Sequence, residues 1–134
     1  MTVLTINQRA VQTAEDVVAI RQAVRQRAVE LGFSLVDQTK IVTAASELAR
    51  NTVQHGGGGR VTIEAVEDFG RPGIRLTFQD DGPGIANVDL AMKDGFTTRG
   101  GLGLGLGGAR RLSSDFSIES APGKGTRVII TRWR

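Results

Sequence analysis

The sequence lacks several residue types and patterns that particular classes of protein need. It has no cysteine, which excludes a disulfide scaffold and a thiolate metal site. It has no tyrosine and one tryptophan, and no basic stretch is interleaved with aromatic residues as in many nucleic-acid-binding proteins. No run approaches the roughly 20 apolar residues that cross a bilayer, and the first residues lack the order of a signal peptide. We therefore expect a cytoplasmic protein with neither membrane nor nucleic acid as partner.

What the chain does contain is typical of one globular domain. It has 134 residues, of which 40% are hydrophobic and 23% are charged, and its net charge is +3. This length buries a full core, so we expect a single domain over residues 1–134. The positive charge is scattered. Such a charge suits nucleic acid, nucleotide phosphates or an acidic protein partner, but because it is scattered we interpret it as an ordinary, modestly basic surface. Nucleic-acid binding, which would depend strongly on salt, ranks low.

The apolar periodicity predicts the element order β-α-α-β-β-(α)-α-β-β. Thr13 with Asp16 predicts the start of the first helix, and Ser34 with Asp37 the start of the second. "RVTIEAV" and "IRLTFQ" alternate as two strands around the turn "EDFGRPG", and "FSIESA" and "TRVIITRW" flank the turn "PGKG". We expect an α+β sandwich with a mainly antiparallel sheet and helices on one face. The helix residues predicted to face inward are Val17, Ile20, Val24, Ala28, Leu31, Ile41, Ala44, Ala45, Leu48 and Thr52.

The stretch "GGLGLGLGGARRL" is the most unusual part of the sequence. Gly103, Gly105 and Gly108 fit the spacing G-x-G-x-x-G, but no strand precedes them, so the dinucleotide fingerprint is excluded by context. Backbone N–H groups without side chains around them bind polyphosphate well at the start of a helix. The alternative is a mobile surface loop. Because solvated linkers rarely alternate glycine with leucine, we favour phosphate binding.

Two further patterns are ambiguous when taken alone. Glu47 and Asn51 lie four residues apart on the second predicted helix, about 40° apart around its axis. Their oxygens suit Mg²⁺, and the carboxylate suits proton acceptance from a hydroxyl, but solvated polar pairs at this spacing are common. Asp80 or Asp81, followed by Gly-Pro-Gly, forms either a simple turn or an acceptor for an amino group such as that of adenine.

Together and in this order, four motifs resemble the GHKL ATPase superfamily, which includes gyrase, Hsp90, histidine kinases and MutL. They are E-x-x-x-N on a helix, D-x-G-x-G after a strand, the glycine-leucine stretch that opens a helix, and G-x-G-T before the last strand. The resemblance spans about residues 41–128. It implies the Bergerat fold, with ATP and Mg²⁺ as cofactors.

The resemblance also implies a role for each matching residue. Glu47 matches the general base, Asn51 the Mg²⁺ ligand, and Asp80 the acceptor of a hydrogen bond from the adenine amino group. Residues 96–99 match a lid, in which Arg99 either reaches the γ-phosphate or points to solvent. The other nucleotide-binding positions are Gly82, Gly84, Gly101, Leu102, Gly103, Leu104, Gly105 and Thr126.

Within the superfamily, the chain resembles small bacterial serine/threonine kinases that regulate sigma factors by partner switching. Its one histidine, His55, is expected at a helix end and not as a phosphoacceptor. "TAASELARN" and "DGFTTRGGLGLGL" resemble stressosome switch kinases, which implies STAS-domain proteins as scaffold and substrate and release to activate a PP2C-type phosphatase. "QHGGGG" is closer to anti-sigma factor kinases, which sequester a sigma factor. An ATP-sensing module with little kinase activity is the alternative from another class.

Overall fold

The computed structural model describes residues 1–93 and 105–134, which form five strands and four helices. The elements in chain order are β1 (Thr2–Val11), α1 (Ala14–Glu30), α2 (Leu35–Gln54), β2 (Gly59–Asp68), β3 (Arg71–Asp80), α3 (Val88–Ala91), α4 (Gly105–Arg111), β4 (Asp115–Ser120) and β5 (Thr126–Trp133). This order matches the predicted one, including a short helix in the segment "NVDLAMKDG".

The five strands form one sheet in the order β1-β2-β3-β5-β4, and every neighbouring pair is antiparallel. Val61 on β2 lies opposite Phe78 on β3, which lies opposite Val128 on β5. Residues directly opposite each other share a face of the sheet. All three side chains are buried in the same cluster as Ile20 of α1 and Leu48 of α2. The predicted α+β sandwich with helices on one face is therefore confirmed.

Side-chain caps fix where the two long helices begin, as predicted. At α1, Thr13 accepts a hydrogen bond from the Asp16 backbone N–H, and the Asp16 carboxylate accepts from the Gln12 and Thr13 N–H groups. These backbone hydrogen bonds, that from Gln12 above all, lower the pKa of Asp16. At α2, Ser34 accepts from the Asp37 N–H.

The predicted inward stripe of α2 is buried throughout, but that of α1 is buried only in its middle. Ile20, Val24 and Ala28 are buried, whereas Val17 and Leu31, near the two ends of the helix, are partly exposed and pack on the rim of the core. A helix that crosses a core tangentially loses contact at its ends, which periodicity alone does not reveal.

The first hairpin is tighter than the predicted seven-residue turn. The strands continue to Asp68 and restart at Arg71, so the turn itself is Phe69 and Gly70. Phe69 has φ +50° and Gly70 has φ +78°. Two successive residues with positive φ give the turn a twist that matches the flanking strands, which can then pair up to the turn.

The sheet face away from the helices contains an ion pair that simple alternation did not predict. Arg75 Nε and Nη2 donate to Glu64 Oε1 and Oε2 at 2.8 and 2.9 Å, and Glu64 is 8% exposed. The hydrogen bonds from Arg75 to Glu64 raise the pKa of Arg75. Val66, Thr77 and Thr131 are also buried on this face.

Candidate functional site

A cavity of about 250 Å³ opens beside the C-terminal half of α2. Its wall combines α2 with the end of β3, the loop that follows it, the first residues of α4 and the start of β5. Leu48, Phe78, Ile85, Leu106 and Val128 supply apolar surface to it. Six predicted site residues line this one cavity: Glu47, Asn51, Asp80, Gly84, Gly105 and Thr126.

The remaining predicted site residues fall into two groups. Gly82 does not line the cavity but lies beside it, where its N–H donates to Asp80 Oδ1 at 2.9 Å. The others lie in residues 94–104, outside the described part of the chain, so their roles stay predictions: Arg99, Gly101, Leu102, Gly103 and Leu104. His55 is the C-terminal cap of α2, as expected, and also lines the cavity.

The Asp80 carboxylate occupies a space that only glycine neighbours leave open. A Cβ placed on Gly56 would lie 2.5 Å from Asp80 Oδ2 and 2.7 Å from Asp80 Cβ. A Cβ on Gly82 would lie 2.7 Å from Gly56 Cα, so the two glycines also lie against each other. A carboxylate held in this way, at the edge of an apolar cavity, suits the recognition of an amino group on a flat heterocycle.

Ser120 connects the two loops that bound this side of the cavity. Its Oγ accepts a hydrogen bond from the Ile85 N–H at 2.9 Å and donates to the Gly125 carbonyl at 3.0 Å. Since that donation uses the only hydroxyl hydrogen of Ser120, the 2.8 Å contact with Thr126 is a donation from Thr126 Oγ1. Sequence reasoning missed Ser120, because nothing in its spacing marks it.

Glu47 is not the solvated polar residue that its helical spacing alone allowed. Its side chain is only 6% exposed, and its Oε1 accepts from Arg50 Nη1 at 2.8 Å. A buried carboxylate is costly unless it is paired and hydrogen-bonded, and Arg50 provides the pairing. Asn51, which follows Glu47 by four positions on α2, is partly exposed and lines the same cavity. The site therefore presents a carboxylate and an amide side by side.

The donor set fits a cation that takes few protein ligands. Within residues 1–93 and 105–134, no three histidine, aspartate or glutamate side chains form a metal-binding group. Mg²⁺ commonly takes one or two protein oxygens and fills its octahedron with phosphate and water. Asn51, with a nucleotide in the cavity, meets that requirement.

Comparison with known proteins identifies the family. Residues 36–133 match the family of histidine kinase-, DNA gyrase B- and HSP90-like ATPases. The chain belongs to this family, and it uses ATP. The superfamily predicted from the four motifs is confirmed.

Two curated relatives are similar over most of their length. The serine/threonine-protein kinase RsbT of Bacillus subtilis (strain 168) is 47% identical over 123 residues, which cover 92% of each chain. The anti-sigma F factor of Thermoanaerobacter sp. (strain X514) is 31% identical over 118 residues, which cover 84% of this chain and 82% of the relative. These similarities place the chain among the serine/threonine protein kinases of its family, as predicted.

A solved structure supports the fold. The crystal structure of the RsbU and RsbW domains of Rv1364c from Mycobacterium tuberculosis matches with a TM-score of 0.65 and 21% sequence identity. The match covers 97% of this chain and 33% of that one, so this chain corresponds to about a third of the solved protein.

In the described part of this chain, no helix is long and apolar enough to cross a bilayer.

Proposed function

We propose that the protein transfers the γ-phosphoryl group of ATP to a serine or threonine of a STAS-domain protein, in a cytoplasmic partner-switching pathway. The observation that carries this proposal is the cavity itself. The buried Glu47 carboxylate lines the same cavity as Asp80. A carboxylate suited to a hydroxyl nucleophile therefore lies near a carboxylate suited to adenine.

We assign nucleotide binding to the two ends of the cavity. Asp80 accepts a hydrogen bond from the adenine amino group, while Phe78, Ile85 and Val128 contribute apolar surface for the base. Asn51 would hold Mg²⁺ beside the phosphates. Bound Mg-ATP supplies the phosphoryl group and the charge neutralisation that its transfer requires. Gly105, the first residue of α4, lines the cavity where the phosphates would reach this helix.

We assign the chemical step to Glu47. Its carboxylate orients the substrate hydroxyl and accepts its proton as the oxygen attacks phosphorus. General base catalysis of this kind contributes typically about 10²- to 10⁴-fold in rate. The rest of the catalysis is positioning and electrostatic stabilisation, as expected for phosphoryl transfer.

The partners belong to the same proposal. The 47% identity to a serine/threonine kinase exceeds the 31% identity to an anti-sigma factor, which favours the switch-kinase role. In that role a STAS-domain protein is both scaffold and substrate, and the released kinase activates a PP2C-type phosphatase. The second candidate is an anti-sigma factor kinase, which would also bind a sigma factor directly.

The test is transfer of labelled γ-phosphate from Mg-ATP to a purified STAS-domain protein from the same organism. We expect wild type and Glu119→Ala, a control at an exposed strand position, to label it, and Glu47→Ala to bind ATP without labelling it. Normal labelling by Glu47→Ala would reject the assigned base. ATP binding without transfer by wild type would favour an ATP-sensing module, and stable binding of a sigma factor would favour the anti-sigma role.

A further inference from the structure

The buried Glu47 carboxylate has a partner that the E-x-x-x-N motif does not require. Arg50 follows Glu47 by three positions on α2, and its Nη1 lies 2.8 Å from Glu47 Oε1. The Arg50 side chain is 33% exposed, against 6% for Glu47, and both line the cavity. Arg50 thus extends from a partly exposed position to the nearly buried carboxylate.

This contact restrains one carboxylate oxygen, and in residues 1–93 and 105–134 nothing donates a hydrogen bond to the other. A charge-assisted hydrogen bond of this length is among the stronger ones in proteins. It involves Oε1, and no described residue donates a hydrogen bond to Oε2 of Glu47. Both residues lie on α2, so this contact does not depend on the position of a loop.

We propose that Arg50 is a positioning residue, which holds Glu47 Oε1 so that Oε2 meets the phosphoacceptor hydroxyl. This inference rests on the proposed function, because it takes Glu47 as the proton acceptor. In the step concerned, the substrate oxygen forms a bond to the γ-phosphorus and the bond from that phosphorus to the β,γ-bridging oxygen breaks. ADP leaves with the electron pair, and the hydroxyl proton passes to Oε2.

The role is tested by separating the rate of transfer from the affinity for ATP. The variants are Arg50→Met, Arg50→Lys and Arg50→Gln, with Arg25→Met as a control at an exposed position of α1. Single-turnover transfer from labelled Mg-ATP to the STAS-domain protein gives the rate constant, and titration gives the ATP Kd. Misplacement of a catalytic group by about 1 Å costs on the order of 100-fold. We expect Arg50→Met to slow transfer by about 10- to 100-fold with unchanged ATP Kd.

Two further measurements distinguish positioning from a merely structural role. Arg50→Lys or Arg50→Gln, which keep a donor, should recover part of the rate. In a Glu47→Gln background, Arg50→Met should slow transfer little further, because residues that act as a unit are not additive. Urea unfolding of every variant tests whether a lower transfer rate comes from a loss of stability. If Arg50→Met does not fold, Arg50→Lys and Arg50→Gln replace it in the test. A slower transfer with unchanged ATP Kd in these variants would then support positioning, and an unchanged rate would reject it.

Several outcomes would overturn the inference. If Arg50→Met weakens ATP binding and leaves the rate unchanged, Arg50 is a nucleotide ligand. If it slows transfer equally in the Glu47→Gln background, it acts independently of Glu47. An active wild type, a Glu47→Gln variant slowed by about 10²- to 10⁴-fold and a fully active Arg50→Met would reject positioning and leave the proposed function standing. A wild type that transfers no phosphate would reject both.

Discussion

The most direct test of base recognition is to place a methyl group in the space next to Asp80, by the substitution Gly56→Ala. Gly56→Ala places a methyl group 2.5 Å from Asp80 Oδ2 and 2.7 Å from Asp80 Cβ, where no methyl group fits. The φ of Gly56 is not in the left-handed region, so alanine causes no backbone strain at this position and its effect comes from the steric conflict with Asp80. Turning the carboxylate away relieves the contacts with Cγ and Oδ2, but the backbone holds Asp80 Cβ in place, so the segment around Gly56 must also shift slightly.

The size of the effect follows from the hydrogen bond that is lost. A hydrogen bond to a charged group contributes about 1.5–3 kcal/mol. If Asp80 no longer meets the adenine amino group, the Kd for ATP should rise by about 10- to 140-fold. The variant should remain folded, since the free energy of unfolding of a domain is typically about 5–15 kcal/mol.

Gly57→Ala is the matched control. Gly57 has φ +72°, and a Cβ there has no other atom within 4 Å. Alanine at this position is strained by about 1–2 kcal/mol but displaces nothing. We expect it to lower the free energy of unfolding, measured in urea, and to leave the ATP Kd from calorimetric titration unchanged.

The comparison of these variants can refute the reasoning. If Gly56→Ala binds ATP as tightly as wild type, the observed position of Asp80 is not what recognises the base. If both alanine variants weaken binding equally, general loosening of this segment is responsible. In the Asp80→Gly background, Gly56→Ala should have little further effect, because the three atoms nearest to the new methyl group all belong to the Asp80 side chain.

Three other predictions concern stability and use urea unfolding. The hydrogen bond from Arg132 Nη2 to Asp37 at 2.7 Å lowers the pKa of Asp37. The ionised Asp37 therefore stabilises the fold above a pH of about 4, and this stabilisation is lost as the pH falls through the lowered pKa. Asp37→Asn should therefore be less stable than wild type at pH 7, and the difference should shrink at lower pH; a constant difference would contradict this. Gly59→Ala brings a Cβ against the Gln79 carbonyl and within 2.9 Å of Thr52, and should cost about 1–3 kcal/mol. Phe69→Asn, at an exposed position with φ +50°, should stabilise the protein by about 0.5–1 kcal/mol or leave it unchanged, and a loss would show that the aromatic ring makes a needed contact.

The sequence by itself was enough to predict the elements and the class of site. Caps at Thr13 and Ser34 and the period of α2 are local signals, and each was confirmed. Alternation predicted the strands β2 and β3, but both faces of these strands contain buried residues. Motif order predicted the family because it records which residues the fold brings together. The ion pair of Arg50 with Glu47 also had a local signal, since residues three apart on a helix are neighbours. The motif E-x-x-x-N does not predict it, because Arg50 occupies one of its unspecified positions.

The tertiary structure alone determined the contacts between residues that are distant along the chain. Asp80 is held against Gly56, Ser120 joins the Ile85 loop to Thr126, and Arg132 reaches Asp37. None of these pairs has a periodicity, because the distance between them depends on how whole strands and helices pack. Spacing along a helix or strand fixes which side chains share a face, whereas only packing fixes which faces meet, and the cavity forms where they do.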